Sequence, residues 1–209
     1  AFLMGTDATA LRTYRKRRLV IFGEFIPFER WLPFMKYLTP VGGSFTPGGE
    51  PVVFELGGVR GKAAPVICFE DTFPNGTRSH ALAGADFLLE LTNDGWFGEG
   101  SGQWQHLASA LFRAVENGIP LVRCTNNGIT CWIDRHGRIV EILGDGPGSF
   151  YARGVLHATV PIGDGGRPTF YRLNGDLFAW TCVAASGWSL LRRRLQRPRT
   201  AQTPPEALP

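Results

Sequence analysis

Apolar residues in this chain come in short continuous runs and one long helical stripe, punctuated by Gly and Pro, and that alternation predicts a layered α/β protein. Phe2–Gly5 has the pattern of a buried strand, and Arg18–Val20 of another that leads into a turn at Phe22, Gly23 and Glu24. Phe28–Leu38 reads as a short helix stopping before Pro40, and 41–50 as a Gly/Pro-rich loop. Pro51–Leu56 and Pro65–Cys68 read as strands separated by a turn around Gly57, Gly58 and Gly61. Thr72–Ala83 is a predicted helix broken by Gly84, and Asp86–Thr92 is a strand with a continuous apolar run. Over Gln103–Asn117, the residues Leu107, Ala110, Leu111, Ala114 and Val115 recur at helical spacing, and Gly118 marks the stop. Leu121–Cys124, Ile129–Ile133 and Ile139–Leu143 are strands, the last two joined by a hairpin turn at Arg135, His136 and Gly137. Tyr151–Val160 is the final expected strand, ahead of a Gly-rich turn.

The pattern changes at the C-terminal end. Leu177–Leu191 carries no charge, and Arg192, Arg193 and Arg194 follow at once. This apolar run rises only ~22 Å as a helix, against a hydrocarbon core of ~30 Å. A helix begun near Tyr171 reaches ~30 Å, with Arg172 and Asp176 at the interface and Trp180 and Trp188 near its ends. The expectation is a transmembrane helix over 171–192 with the arginines on the cytoplasmic side, which puts the rest of the chain outside the cytoplasm. Residues 193–209 read as a basic, disordered tail.

Composition narrows the alternatives. With 44% apolar and 19% charged residues the chain can bury a sizeable core. The net charge of +4 is concentrated in Arg12–Arg18 and Arg192–Arg199. Neither cluster is interleaved with aromatics on an evident platform, and no nucleic-acid motif is present, so nucleic-acid binding is rejected. The four cysteines and four histidines form no metal-ligand spacing, and no metal or organic cofactor is expected. Cys124 and Cys131 fall on neighbouring strands, where a disulfide or two free buried thiols would both fit. The opening, AFLMGTDATA, has no charged leader and reads as a strand already under way, the start of a fragment.

The candidate chemistry centres on Cys68. It lies at the C-terminal end of a strand and faces a helix start, where exposed amides and the helix dipole favour a thiolate. Taken alone, such a cysteine fits an inert buried thiol better, and the case for catalysis comes from its companions. Glu70, two residues on, points the same way as Cys68 on an extended segment. Gln105-His106 invites a Cys–His dyad, but His106 opens an amphipathic helix and fits a local hydrogen bond better. Arg113 and Glu116 read as a structural ion pair on that helix, and Thr125–Gly128 as a tight turn closing one wall of a pocket.

Five segments occur in one order: YRKRRLVIFGEFIPFERW (14–31), VICFEDTFP (66–74), LTNDGWFG (91–98), QHLASALFRAVENGIPLVRCTNNGIT (105–130) and RPTFYRLNGD (167–176). Together they resemble the carbon–nitrogen hydrolase (nitrilase) superfamily, and within it the membrane enzymes that acylate bacterial lipoproteins. The resemblance runs from about residue 2 to about 191. It implies a nitrilase-like α/β/β/α sandwich over 1–168, here lacking its N-terminal part. It also implies a Glu-Lys-Cys mechanism in which Cys68 matches the nucleophile and Lys16 the catalytic lysine. Glu24 and Glu70 match two further glutamates: Glu24 as a second acid/base against the sulfur, Glu70 as an orienter of Lys16 or of a backbone amide. Phe69, Asn93, Trp96 and Phe97 match the substrate side, with Trp96 and Phe97 as an apolar wall and Asn93 and Asp94 bonding backbone. Phe69 stands where the family has Tyr, and Ile21 where it has Pro.

The family's general-base glutamate lies upstream of Lys16, and no Glu precedes Glu24 in this chain. The 209-residue polypeptide alone is therefore expected to be inactive. The function the resemblance implies is transfer of an acyl chain from a phospholipid, through a Cys68 thioester, to the N-terminal cysteine amine of a lipoprotein. The setting is the bacterial inner membrane, with the catalytic domain on the periplasmic face. A soluble amidase using the same thioester, and a non-catalytic nitrilase-like module, are the other readings.

Overall fold

The computed structural model describes residues 1–209 apart from 40, 42, 58–60, 145–150, 164–166 and 197–209. The chain opens on an antiparallel hairpin of β1 (Phe2–Met4) and β2 (Ala10–Thr13). Four strands follow, β3 (Phe54–Glu55), β4 (Lys62–Ile67), β5 (Phe87–Asn93) and β6 (Leu121–Asn126), with α1 (Pro74–Leu82) crossing from β4 to β5 and α2 (Ser101–Asn117) from β5 to β6. The crossovers make β4, β5 and β6 parallel neighbours. Antiparallel β3 on one side and β7 (Cys131–Ile133) and β8 (Ile139–Ile142) on the other complete a six-stranded sheet in the order β3-β4-β5-β6-β7-β8. Two helices close the described chain, α3 (Phe170–Asn174) and α4 (Leu177–Leu195).

Strand alternation explains the core. Ala64, Val66, Leu88 and Leu121 point to one face, where they pack under Ala81 of α1 and Leu107, Ala110 and Ala114 of α2. The small Ala110 and Ala114 let α2 lie close on the sheet, and Gly118 ends it in the left-handed conformation at φ 65°. On the other face Ala63 and Phe54 pack with Tyr14, beside half-buried Phe87, Leu89 and Leu3. On β5, Leu88, Glu90 and Thr92 are buried while Phe87, Leu89 and Leu91 are half-covered, so the two faces are unequally protected.

The α/β class holds, and the α/β/β/α layering is met in part: beyond the six-stranded sheet, the other sheet among the described residues is the β1–β2 hairpin. Several boundaries move for identifiable reasons. Arg18–Val20 forms no strand, because the Arg17 and Arg18 amides turn to the Glu70 carboxylate instead of a ladder. Within 28–38 only a 3-10 helix forms, at Pro33–Tyr37, with Pro33 at its first position. The helix expected from Thr72 starts at Pro74, since Cys68–Thr72 is a separate 3-10 turn. Phe2–Met4 is a strand but is largely exposed. Tyr151–Val160 forms no strand; residues of 151–158 line a groove of about 770 Å³ beside Cys124–Thr130. Of the two expected turns, 58–60 and 164–166 lie outside the described residues, as does 197–209 of the tail.

The four cysteines are free. Arg123, not Cys124, lies opposite Cys131, which sends Cys124 to the other face: Cys131 is buried and Cys124 exposed, so a disulfide between them is excluded.

The chain divides into two units, Ala1–Leu173 and Asn174–Pro209. The continuous helix expected over 171–192 is broken at Gly175, where φ is 59°. Among the described residues no helix is long and apolar enough to cross a membrane. The transmembrane helix expected over 171–192 is therefore not found among the described residues. Helix α4 nonetheless buries none of its side chains, and Phe178, Trp180, Val183, Trp188 and Leu190 stand exposed.

Candidate active site

The parallel register places the candidate residues at one end of the sheet. Ile67 pairs with Leu91, and Leu91 with Cys124, so Cys68, the Asn93–Phe97 segment and the Asn126–Gly128 turn all lie just past the C-terminal ends of β4, β5 and β6. That is where open α/β sheets keep their ligand crevices. Cys68 itself is half-buried and sits at φ 51°, a left-handed conformation that an L residue adopts only when its surroundings enforce it.

Glu70 does much of that enforcing. It is buried, and Ile67 N donates to its Oε2 at 2.8 Å, which ties the two sides of the Cys68 turn together. The Tyr14 hydroxyl donates to both carboxylate oxygens, at 2.8 and 2.9 Å, and the amides of Arg17 and Arg18 donate to Oε1 at 2.6 and 3.2 Å. Of the two roles expected for Glu70, the structure shows the backbone one. It holds the segment either side of Lys16 onto the cysteine turn. Tyr14 has its phenol pushed above the usual range by burial and by the Glu70 charge, so it stays a donor.

Lys16 lies in that held segment, largely buried, with its Nζ 2.7 Å from Glu24 Oε1. The other oxygen of Glu24 accepts from Val20 N at 2.8 Å. Glu24, expected against the sulfur, is thus committed to the lysine ammonium and to its own turn. The arrangement keeps one fixed cation and a cysteine on adjoining, mutually tethered segments. Such a pair can stabilise a thiolate and the oxyanion that forms when a carbonyl is attacked.

The other expected residues surround the turn. Phe69 stacks edge-on against Phe73 at 5.1 Å. Asn93 Oδ1 accepts from Gly95 N at 3.1 Å and faces Asn126 Nδ2 at 3.4 Å. Trp96 is 79% and Phe97 51% exposed, an uncovered apolar lip rather than a packed wall.

Asp94 departs from expectation. Its carboxylate bonds side chains, not backbone, within a buried charge cluster that sequence reading missed. His106 Nδ1 is 2.8 Å from Asp94 Oδ1, and His106 Nε2 is 3.0 Å from Asp71 Oδ1. Arg123 pairs with Glu90 through Nη1 and with Asp94 Oδ2 through Nη2, the latter at 2.7 Å. Burial would lower the His106 pKa, but its hydrogen bonds to Asp71 and Asp94 outweigh this and raise it to about 10. Burial and the Asp71 charge push Glu90 up, against the pull of Arg123. With both ring nitrogens engaged, His106 has no lone pair for the Cys68 thiol, and the dyad is excluded.

Asp71, Glu90 and His106 do offer ligand atoms within 4.8 Å of one another, the geometry of a metal group. Here Arg123 supplies a cation against those carboxylates, and both ring nitrogens of His106 are already engaged by Asp71 and Asp94. One signal was visible: a single charge interrupts each of two apolar strand runs, and Glu90 and Arg123 prove to be direct register partners.

A mixed sheet with a strained cysteine turn at the carboxyl end of a central parallel strand, tethered to a lysine–glutamate pair, defines a class of α/β protein built around one thiol. The carbon-nitrogen hydrolase profile matches residues 1–166, and the chain belongs to that family. An apolipoprotein N-acyltransferase of Geobacter metallireducens is 39% identical over 186 residues, 89% of this chain and 34% of that protein. Another, from Bradyrhizobium diazoefficiens, is 37% identical over 202 residues, 94% of this chain and 35% of that protein. The chain thus spans about a third of the length of the curated relatives it matches. A mutant amidase from Nesterenkonia sp. AN1, with acrylamide added at its active-site cysteine, overlays with a TM-score of 0.48 at 25% identity, covering 70% of this chain and 53% of that one.

Proposed function

We propose that this chain is the acyl-carrying part of an apolipoprotein N-acyltransferase. The observation that carries the proposal is the tether: Glu70 binds both sides of the Cys68 turn and the backbone next to Lys16. The activity for which these relatives are named supplies the reaction.

In this reading the Cys68 sulfur attacks the ester carbonyl of a phospholipid, and the Lys16 ammonium, kept in place by Glu24, faces the oxyanion. The ester C–O bond breaks, the lysophospholipid alkoxide leaves with the thiol's proton, and the acyl chain stays on sulfur. The α-amine of a lipoprotein's N-terminal cysteine then attacks the thioester. The C–S bond breaks, an amide forms, and the amine's proton returns to the thiolate. Phe69, Asn93, Trp96 and Phe97 are the proposed acyl-side contacts. The exposed apolar pair Trp96 and Phe97 suits a lipid donor, and the reaction balances with no metal or organic cofactor.

The proposed setting is the outer face of the bacterial inner membrane. The exposed apolar surface of α4, ending in Arg192, Arg193 and Arg194, supports attachment at a lipid interface. The test is complementation with the complete gene in bacteria depleted of their own enzyme. Lipoproteins should gain an amide-linked acyl chain with the unaltered gene and not with Cys68→Ala; acylation that survives this change overturns the proposal.

A further inference from the structure

We infer that one face of α2 is a splint for the candidate site, with His106 as the positioning residue that locks the Cys68 turn to its neighbours. This rests on the reading of Cys68 as the acyl carrier and adds residues to which that reading gives no role. Three loops bound the site at the ends of β4, β5 and β6, and each is gripped by α2. His106 Nε2 holds Asp71, three residues past Cys68, at 3.0 Å. His106 Nδ1 holds Asp94, the first residue of the Trp96–Phe97 turn, at 2.8 Å. Gln103, one helical turn earlier, donates through Nε2 to Asn127 O at 2.7 Å in the third loop. Further along, Arg113 Nη1 donates to Asp71 O at 3.2 Å.

Asp71, Asp94, Gln103 and His106 are all buried, which makes these bonds strong and their loss costly. The third loop is also set directly against the second. A Cβ on Gly128 would lie 2.8 Å from Asp94 Oδ2 and 2.9 Å from Asp94 Cβ, so only glycine allows that approach. Beneath them, Arg123 ties Asp94 to Glu90.

The Cys68 turn needs such support because φ 51° is a strained conformation for an L residue, and strain persists only where several contacts agree. Glu70 fixes the turn from the Lys16 side and Asp71 from the α2 side. His106, saturated at both nitrogens, touches no reacting atom; it acts by keeping the sulfur registered to Lys16.

The experiment uses the protein expressed from its complete gene, in detergent, with phospholipid-driven acylation of Cys68 followed by mass spectrometry and amide exchange read in parallel. With His106→Ala the maximal acylation rate should fall about 100-fold, the scale of an ångström misplacement, with half-saturating phospholipid unchanged. His106→Gln, which keeps one of the two bonds, should recover about tenfold of that loss. Amides of 68–73 and 94–98 should exchange at least ~10-fold faster, while those of β4 and α1 keep their rates. Unchanged exchange in the two turns overturns the inference, as do loosened turns with an intact acylation rate, or a loss seen only as weaker phospholipid binding. If His106→Ala fails to fold, His106→Gln decides by the same two readings, with an unchanged rate overturning the inference. If unaltered Cys68 takes no acyl chain at all, the acyl-carrier reading fails, and the exchange pattern alone decides whether α2 splints the turn.

Discussion

Glu70 accepts from one hydroxyl and three backbone amides, so removing its carboxylate strands several buried donors at once. Glu70→Ala should destabilise the fold by about 3 kcal/mol, read as a shift in the urea midpoint at unchanged slope. Glu70→Gln, which keeps an acceptor, should cost less than half of that. Lys16 makes a different case: Met keeps the buried stem of the side chain, and Glu24, itself partly exposed, keeps its bond from Val20 N. Lys16→Met should leave the unfolding midpoint nearly unchanged and slow Cys68 acylation about 100- to 1,000-fold, the scale of losing one oxyanion donor. Mass spectrometry of the Cys68 peptide after mixing with phospholipid measures it. A large stability loss without a rate loss would show Lys16 to be a structural cation.

Among the elements, α1 and α2 each bury a histidine, and the two respond to pH in opposite senses. His80 on α1 is driven down to about 4 by burial and by the Arg17 charge. Between about pH 6.5 and 4 the unfolded chain takes a proton there that the folded one refuses, so stability falls on acidification. His106 on α2, raised to about 10, stays protonated when folded. Its contribution is complete below about pH 6.5 and is lost as pH rises towards 10. Thermal midpoints from pH 4 to 10 should show both slopes, and His106→Gln should remove only the alkaline one. These elements also show what the sequence made legible. The α2 stripe was readable because Leu107, Ala110 and Ala114 face a flat sheet at regular spacing. Val115, on the stripe's margin, proves 44% exposed. The motif segments pointed to Cys68, Lys16, Glu24 and Glu70, and in the fold Glu70 tethers the Arg17 and Arg18 backbone to the Cys68 turn while Lys16 pairs with Glu24. The pairing of His106 with Asp71 and Asp94 was not legible, because it joins residues 35 and 12 positions apart that belong to two different crossover connections. Arg18–Val20 misled for a related reason: the Arg18 amide is spent on the Glu70 carboxylate some fifty positions away and the Val20 amide on Glu24.

At the scale of the whole molecule, the exposed apolar surface of α4 is the feature from which the proposed contact with lipid is argued. Its uncharged run rises about 22 Å, too short for a ~30 Å hydrocarbon core, and the Gly175 break stops α3 from lengthening it. In the proposed setting it would serve instead as an interfacial anchor, with Trp180 and Trp188 69% and 67% exposed and three arginines in its last turn. Arginines at that position attract anionic headgroups, while the indoles sit at the boundary between headgroup and acyl chain. The chain should therefore bind vesicles containing phosphatidylglycerol, with a blue shift in tryptophan emission, and bind neutral vesicles more weakly. Each indole moved from water into the interface contributes enough apolar area that changing both Trp180 and Trp188 to Ser should weaken binding at least ~10-fold. Replacing Arg192, Arg193 and Arg194 with Gln should instead remove the preference for anionic vesicles and its salt dependence, leaving neutral-vesicle binding in place. Equal binding by the double-Ser variant would mean that other apolar surface, such as Trp96 and Phe97 beside the site, carries the contact with lipid.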